Sequence, residues 1–430
     1  MHRTHAFPAA PDATPSAATS DPVVTPDPVE VPAHALAAAA RGARWLRRSG
    51  IQSPSGGYHS WFDREQDAYP FEYSEVTGYL VTYAAWLAAG AGDILPDAIE
   101  DGEGPHAGAT VLDDADRAVH WLATAVQPEP GAFRCLEASA AVGRFQGKAD
   151  RLYTFDAGII LQGLVAHHVA TGSEPARRTA VDTGEWLLRH VDAAGVVQPW
   201  PSAPGVTDWP DVPGDWSTRP GVHHAKIGIG LAALGELTGD GRFTAAAVAV
   251  CEDALRHQLP SGRFVTNPAS DPVPGSTNIH PHCYAAEALW SVGHATGRAD
   301  LVAASERATL WLLAATDATG HPLRRWTSEV DVVRHPRVDG VAQALRLAAL
   351  HGLGGTAAAR RLLGTVLAHQ VEDPTEVRVH GGFAFGAGTA GEPLVHANVW
   401  VTAFAVQALV LAVRGGADPQ GPVLDWRHLV

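Results

Sequence analysis

Apolar residues along this 430-residue chain gather into helical stretches of two alternating kinds. In the first kind nearly every position is Ala, Leu, Val, Ile or Gly, as in DAGIILQGLVAHHVATG from Asp156, HHAKIGIGLAALGELTG from His223 and PHCYAAEALWSVGHATG from Pro281. These three align without a gap over 17 residues, open on polar or ring-bearing side chains, and stop at Thr-Gly. Glycine accepts the left-handed conformation that ends a helix, so the stop has a physical cause. Stretches starting at Ser74, Arg337 and His396 share the pattern more loosely. A helix that is apolar on every side is expected to be buried on every side.

Helices of the second kind, such as EPARRTAVDTGEWLLRHV and DGRFTAAAVAVCEDALRHQ, mix Arg and Glu with apolar residues and end in a glycine turn that leads into an extended piece. The leading glycines are Gly56, Gly131, Gly195, Gly262, Gly320 and Gly381, at successive spacings of 75, 64, 67, 58 and 61 residues. A repeat of this size cannot bury its own apolar face and must stack on its neighbours. Links from a buried helix to the next charged one are mostly two to four residues, while the reverse links run to twenty or more. Short links make antiparallel neighbours, which puts every long loop at one end. The pattern predicts an all-α (α/α)6 toroid of twelve helices, charged ones outside and apolar ones inside. It spans 32–430 as one domain, after a Pro/Ala-rich leader, 1–31, expected to be disordered. The helix DDADRAVHWLATAV is expected to be capped by Asp113 or Asp114.

The hairpin period, the glycine-aromatic turns and the polar openings of the inner helices resemble the α/α-toroid proteins over about residues 32 to 415. On one side stand six-hairpin glycosidases and uronate-processing enzymes, on the other terpenoid cyclases and protein prenyltransferases. YSEVTGYL (73–80) also resembles a helix start of toroid proteins encoded with polysaccharide biosynthesis. The resemblance implies architecture, and the chemistry has to come from the site.

Charge and composition narrow the partners. A net charge of −15 argues against nucleic acid, whose phosphates are held by excess lysine and arginine. No charge-free run of about eighteen apolar residues marks a membrane span. Three cysteines at wide spacing and the lack of an N-x-S/T sequon suit a reducing, cytoplasmic setting.

The candidate chemistry lies where the inner helices begin. Their openings supply carboxylates, imidazoles, an ammonium and a guanidinium, where packing alone asks for apolar or capping residues. Glu75, Asp156, His224 and His282 are the expected acid/base groups. Tyr73, His223, Lys226, Tyr284, Arg337, Asp339, His396, Asn398 and Trp61 are expected to hold the substrate; indoles in long loops, here Trp61, Trp200, Trp209, Trp216 and Trp326, more often plug the loop against the barrel, and one or two are expected at the funnel mouth. The acids also suit helix capping, and the histidines also suit a hydrogen-bonded core. Lys226 stands on an otherwise apolar helix and needs a partner or a ligand. With Arg337 and six helix N-termini it points to an anionic ligand. The resulting expectation is a carbohydrate-active enzyme, acting as hydrolase, lyase or epimerase on a small or oligomeric, anionic sugar, without cofactor or metal. His280, His282 and Cys283 form the alternative zinc set. A terpenoid or prenyl enzyme is the second expectation, opposed by an aromatic content of 7% and by the polar openings. A non-catalytic binding toroid is the third. GIGLAALG lies inside a helix, and GxxxxGK[ST], HExxH and GxSxG motifs are missing.

Overall fold

The computed structural model describes residues 31–95, 110–136, 149, 151–201, 219–266, 273–328, 332–388, 393–415, 420–421 and 424–430. The leader up to residue 30, Trp209 and Trp216 lie outside the described residues. Among the described residues twelve α-helices follow one another: α1 Val31–Arg48, α2 Ser74–Ala88, α3 Val111–Thr124, α4 Thr154–Thr171, α5 Glu174–Leu188, α6 Ile227–Thr238, α7 Gly241–Leu255, α8 Ile279–Thr296, α9 Ala299–Thr319, α10 Val338–Leu350, α11 Ala357–Ala368 and α12 Val399–Arg414. The even-numbered helices form the inner ring, each packed on the next, and α12 returns to α2. Outer helices α3 to α11 each pack on the inner helix before them, and α1 packs on α12. Closure of the ring therefore joins the first helix to the last.

Burial explains the apolar composition. Along α4 every residue from Thr154 to His167 is buried. Each fully covered side chain such as Leu161 or Leu164 contributes about 1.5–3 kcal/mol. Small residues let inner helices touch: a Cβ on Gly230 would stand 2.8 Å from the Gly158 carbonyl oxygen across the α4–α6 contact. The Thr-Gly stops are left-handed caps, with φ of 72° at Gly172, 71° at Gly239 and 69° at Gly297. The cap of α3 is Thr110 rather than Asp113 or Asp114. Thr110 and Asp113 form a capping box, because the hydroxyl one residue before the helix reaches the Asp113 N–H and the Asp113 carboxylate reaches back. Asp114 is instead buried against Arg47 at 2.9 Å.

The repeat glycines do two jobs. All six have positive φ. In five units a Cβ would collide with a carbonyl of the next outer helix, from 2.0 Å at Gly195 (Ala249) to 2.7 Å at Gly381 (Arg41), so the turn is a wedge between neighbouring hairpins. Gly320 is the exception, with φ of 71° and nothing within 4 Å. Gly195→Ala is expected to cost roughly 3 kcal/mol or more, since left-handed strain of about 1–2 kcal/mol adds to an overpacking cost of about 1–3 kcal/mol. Gly320→Ala should show the strain alone. Urea denaturation of the two variants decides it, and equal losses would contradict the wedge.

Short strands decorate the long-loop end. β1 (Trp61–Phe62), β6 (Pro393–Asn398) and β5 (Phe383–Ala387) make one antiparallel sheet in that order. β2 (Thr277–Asn278), β3 (Arg325–Trp326) and β4 (Val332–Val333) make another. They lock the loops against the openings of α12 and α8.

Candidate active site

The inner helices open together at the long-loop end, and their first residues face one another. On α2, Tyr73 precedes the first turn and hydrogen-bonds the Glu75 carboxylate. Burial keeps this phenol protonated well above its ordinary range, and the charges of Asp156, Cys135 and Glu75 push the same way. Asp156, in the first turn of α4, is 3% exposed. Both carboxylates act electrostatically on the Tyr73 hydroxyl, Glu75 through a hydrogen bond as well.

The third opening is not α-helical. Val222–Lys226 is a 3-10 helix leading into α6, and in it the rings of His223 and His224 lie side by side, with centres 4.0 Å apart. Phe155 covers them at 5.7 Å from His223 and 6.5 Å from His224. Neither ring nitrogen of His224 has a hydrogen-bond partner in good geometry among the described residues. Burial lowers its pKa to about 4, opposed only by the Gly221 carbonyl. His223 is held well below its ordinary value by burial and by His224 and His280.

From α8 comes His280, whose Nδ1 lies 2.6 Å from Gln343 Oε1 and whose Nε2 lies 3.7 Å from Asp339 Oδ2. Burial takes it to about 4 despite Asp339. All three imidazoles are neutral at pH 7. Tyr284 stands one turn below His280, with ring centres 4.3 Å apart, and its hydroxyl accepts from Tyr79 at 2.8 Å. Phe155, Tyr284 and Tyr79 form an aromatic floor.

The α10 and α12 openings complete the mouth. Burial would raise the Asp339 carboxyl, but Arg337, His280 and the Trp400 indole N–H outweigh it and hold the group ionised. Arg337 reaches Asp339 at 2.5 Å and lies over the Phe385 ring at 4.9 Å. His396 lies between Trp61 at 5.2 Å and Phe385 at 5.9 Å. Asn398 caps α12 through its Oδ1, while its buried Nδ2 has no hydrogen-bond partner among the described residues.

Two expected site residues lie elsewhere. His282 is two positions from His280, about 200° around the helix, so only one of the pair can face the axis. Its ring bonds the Phe264 N–H at 3.3 Å and the Ala308 carbonyl at 3.2 Å, between the rings and helices of the wall. Lys226 lies beneath the floor rather than above it. Its ammonium donates to Glu287 at 3.0 Å and to the carbonyls of Leu429 and Val430 at 3.2 and 3.3 Å. Lys226 is a full turn deeper than His223, and the segment 424–430 fills the closed end, with Gln162 and Gln407 bonding its carbonyls. The alternative zinc set does not converge either: Cys283 Sγ faces the Gly340 carbonyl, and among the described residues no group of three or more His, Cys, Asp or Glu is arranged to hold a metal ion.

Sequence reasoning missed the counter-ions of Lys226. Glu287 in α8 and Arg346 in α10 are fully buried and joined at 2.5 Å. Glu287 is the lone Asp, Glu, Lys or Arg of α8, the same signal that singled out Lys226, and Arg346 stands in the apolar middle of α10, two turns past Asp339. His280 was weighed only as a metal ligand or core residue, although it is the α8 imidazole that meets Asp339.

No protein-family model and no curated protein matches the chain. Solved structures do. A sugar epimerase from a ruminal bacterium is similar at a TM-score of 0.64 and 10% identity, over 88% of this chain and 99% of that one. An unsaturated glucuronyl hydrolase from Bacillus sp. GL1 is similar at 0.57 and 14% identity, over 90% of this chain and 97% of that one. A type II terpene cyclase from Scytonema is similar at 0.53 and 17% identity, over 90% and 99%. Helix order, ring closure and these likenesses agree that the chain is an (α/α)6 toroid.

Proposed function

We propose that the protein is a carbohydrate-active enzyme that binds a sugar over the Phe155–Tyr284 floor and moves protons with the groups around it. The observation that carries this reading is the meeting of three neutral imidazoles, His223, His224 and His280, with the Tyr73–Glu75–Asp156 group at one end of the ring. A neutral imidazole takes a proton from a carbon beside a carbonyl, and a protonated group across the ring returns one to the opposite face, which is epimerisation or isomerisation. Rings such as Tyr284 and Phe155 suit the apolar face of a sugar. The epimerase and glucuronyl hydrolase likenesses fit a sugar substrate, and Arg337 beside the helix N-termini favours one with a carboxylate or phosphate. Three buried cysteines outside any disulfide and the start of α2 fit a cytoplasmic role beside polysaccharide synthesis. No described helix is long and apolar enough to cross a membrane.

Hydrolysis is the second reading. It is favoured by the shared action of Glu75 and Asp156 on Tyr73, since a glycosidase needs two carboxyl groups flanking one bond. The terpene cyclase likeness shows how little the ring alone decides.

A panel of reducing disaccharides, unsaturated uronyl disaccharides, sugar phosphates and prenyl diphosphates, read by thermal shift and by turnover, tests the proposal. Sugars or uronates should stabilise the wild type and be turned over. Asp156→Asn and His280→Gln should each keep the thermal shift while losing roughly 10²–10⁴-fold in turnover, the usual contribution of a positioned acid or base. Arg337→Gln should weaken acidic sugars selectively. Stabilisation by prenyl diphosphates alone would move the function to the terpenoid side.

A further inference from the structure

Beneath the floor lies a chain of hydrogen bonds with one direction. Glu287 is fully buried and receives Lys226 Nζ at 3.0 Å, Arg346 Nε at 3.0 Å and the Gln343 amide nitrogen at 3.1 Å. Burial would raise this carboxyl, but Arg346 and Lys226 outweigh it and keep it ionised. An ionised carboxylate only accepts, so the Gln343 side chain must turn its NH₂ toward Glu287. Its carbonyl oxygen then faces His280 Nδ1 at 2.6 Å, and an amide oxygen only accepts as well. The proton of the neutral imidazole is therefore on Nδ1.

We infer that Glu287 and Gln343 are positioning residues that hold His280 as the Nδ1–H tautomer, leaving the Nε2 lone pair toward Asp339 and the substrate side. The assignment rests on the reading above in taking His280 as the base, but the tautomer itself follows from the bonds alone. Left to itself, the ring has reason to choose otherwise: Asp339 Oδ2, 3.7 Å from Nε2, attracts a proton to that nitrogen, and Arg337 only partly offsets it. The relay from the ion layer opposes that pull. It also explains why a Lys–Glu–Arg cluster is buried under an aromatic floor, where a packed apolar core is often as stable. Orienting a ring nitrogen through a second polar group is how neighbouring residues commonly set imidazole chemistry.

Long-range ¹H–¹⁵N correlation on histidine-labelled protein reads the tautomer directly, with the His280 signals identified by their loss in His280→Gln. The wild type at neutral pH should show Nδ1 protonated and Nε2 bare. Gln343→Leu leaves the Glu287–Arg346–Lys226 cluster intact and should shift the proton toward Nε2, with kcat on the sugar substrate falling at least tenfold and the ligand's thermal shift kept. A wild-type ring carrying its proton on Nε2 overturns the inference, and so does a pure Nδ1–H tautomer in Gln343→Leu. If the tautomer shifts and turnover does not change, the positioning stands and His280 is not the base.

Discussion

Between pH 6.5 and 4 the protein should unfold cooperatively, taking up protons as it does. His224, His280 and His282 are buried and held near 4, against an ordinary value of 6.5, with burial the main cause in each. The sign follows from proton counting. Below pH 6.5 the unfolded chain binds protons at these rings that the folded chain refuses, so stability is complete above 6.5 and is lost as pH falls toward 4. One such group costs about 1.4 kcal/mol per pH unit, and three together cost about 4 kcal/mol per pH unit. Domain stability is about 5–15 kcal/mol in all, so the fold should fail within a few units. Helical circular dichroism against pH, with proton uptake measured at the transition, checks this. A melting temperature at pH 4.5 equal to that at pH 7 would sink the claim that the imidazoles are neutral and buried.

Glu287→Gln should be the most destabilising single change in the interior. It leaves Lys226 and Arg346 buried together without their carboxylate, and breaking a buried ion pair costs about 3–5 kcal/mol. Burial already lowers Lys226 to about 8, with Glu287 acting against the shift, so loss of Glu287 removes what keeps the ammonium charged. Arg346 cannot escape by deprotonating and stays a buried cation against Gln407 and the Phe404 ring. The double variant Glu287→Gln/Lys226→Met should recover part of the loss, since it takes away one of the two unpaired charges. Urea midpoints of the single and double variants measure both effects. A single variant within about 1 kcal/mol of the wild type would show that the cluster is not the closed electrostatic unit described.

The ring was legible because its signals are local. Thr-Gly stops at Gly172, Gly239 and Gly297 mark helix ends whatever the helices pack on, and five of the six repeat glycines wedge against a neighbouring carbonyl. Gly320 kept the period without the wedge, a difference that only the adjacent helix reveals. Tyr73, Glu75, Asp156, His223, Arg337 and Asp339 stand out in the sequence because polar residues at the start of an apolar helix have few structural reasons to be there, and the structure places them at the openings of the inner helices. Depth and facing were less accessible. Alignment on terminal glycines gives height along a helix but not direction around it, which is why His282 was chosen over His280. A 3-10 start to α6 and a C-terminal segment folded into the closed end put Lys226 below the floor, and neither leaves a periodic trace in the sequence.

The most direct test of the central claim is proton NMR of reducing and uronic disaccharides incubated with the protein in D₂O. The account predicts that one carbon-bound proton beside the carbonyl is replaced by deuterium as the sugar inverts there, and that His280→Gln abolishes the exchange while the sugar still binds. Cleavage of a glycosidic bond without carbon-bound deuterium, or no change in any sugar that binds, would contradict it.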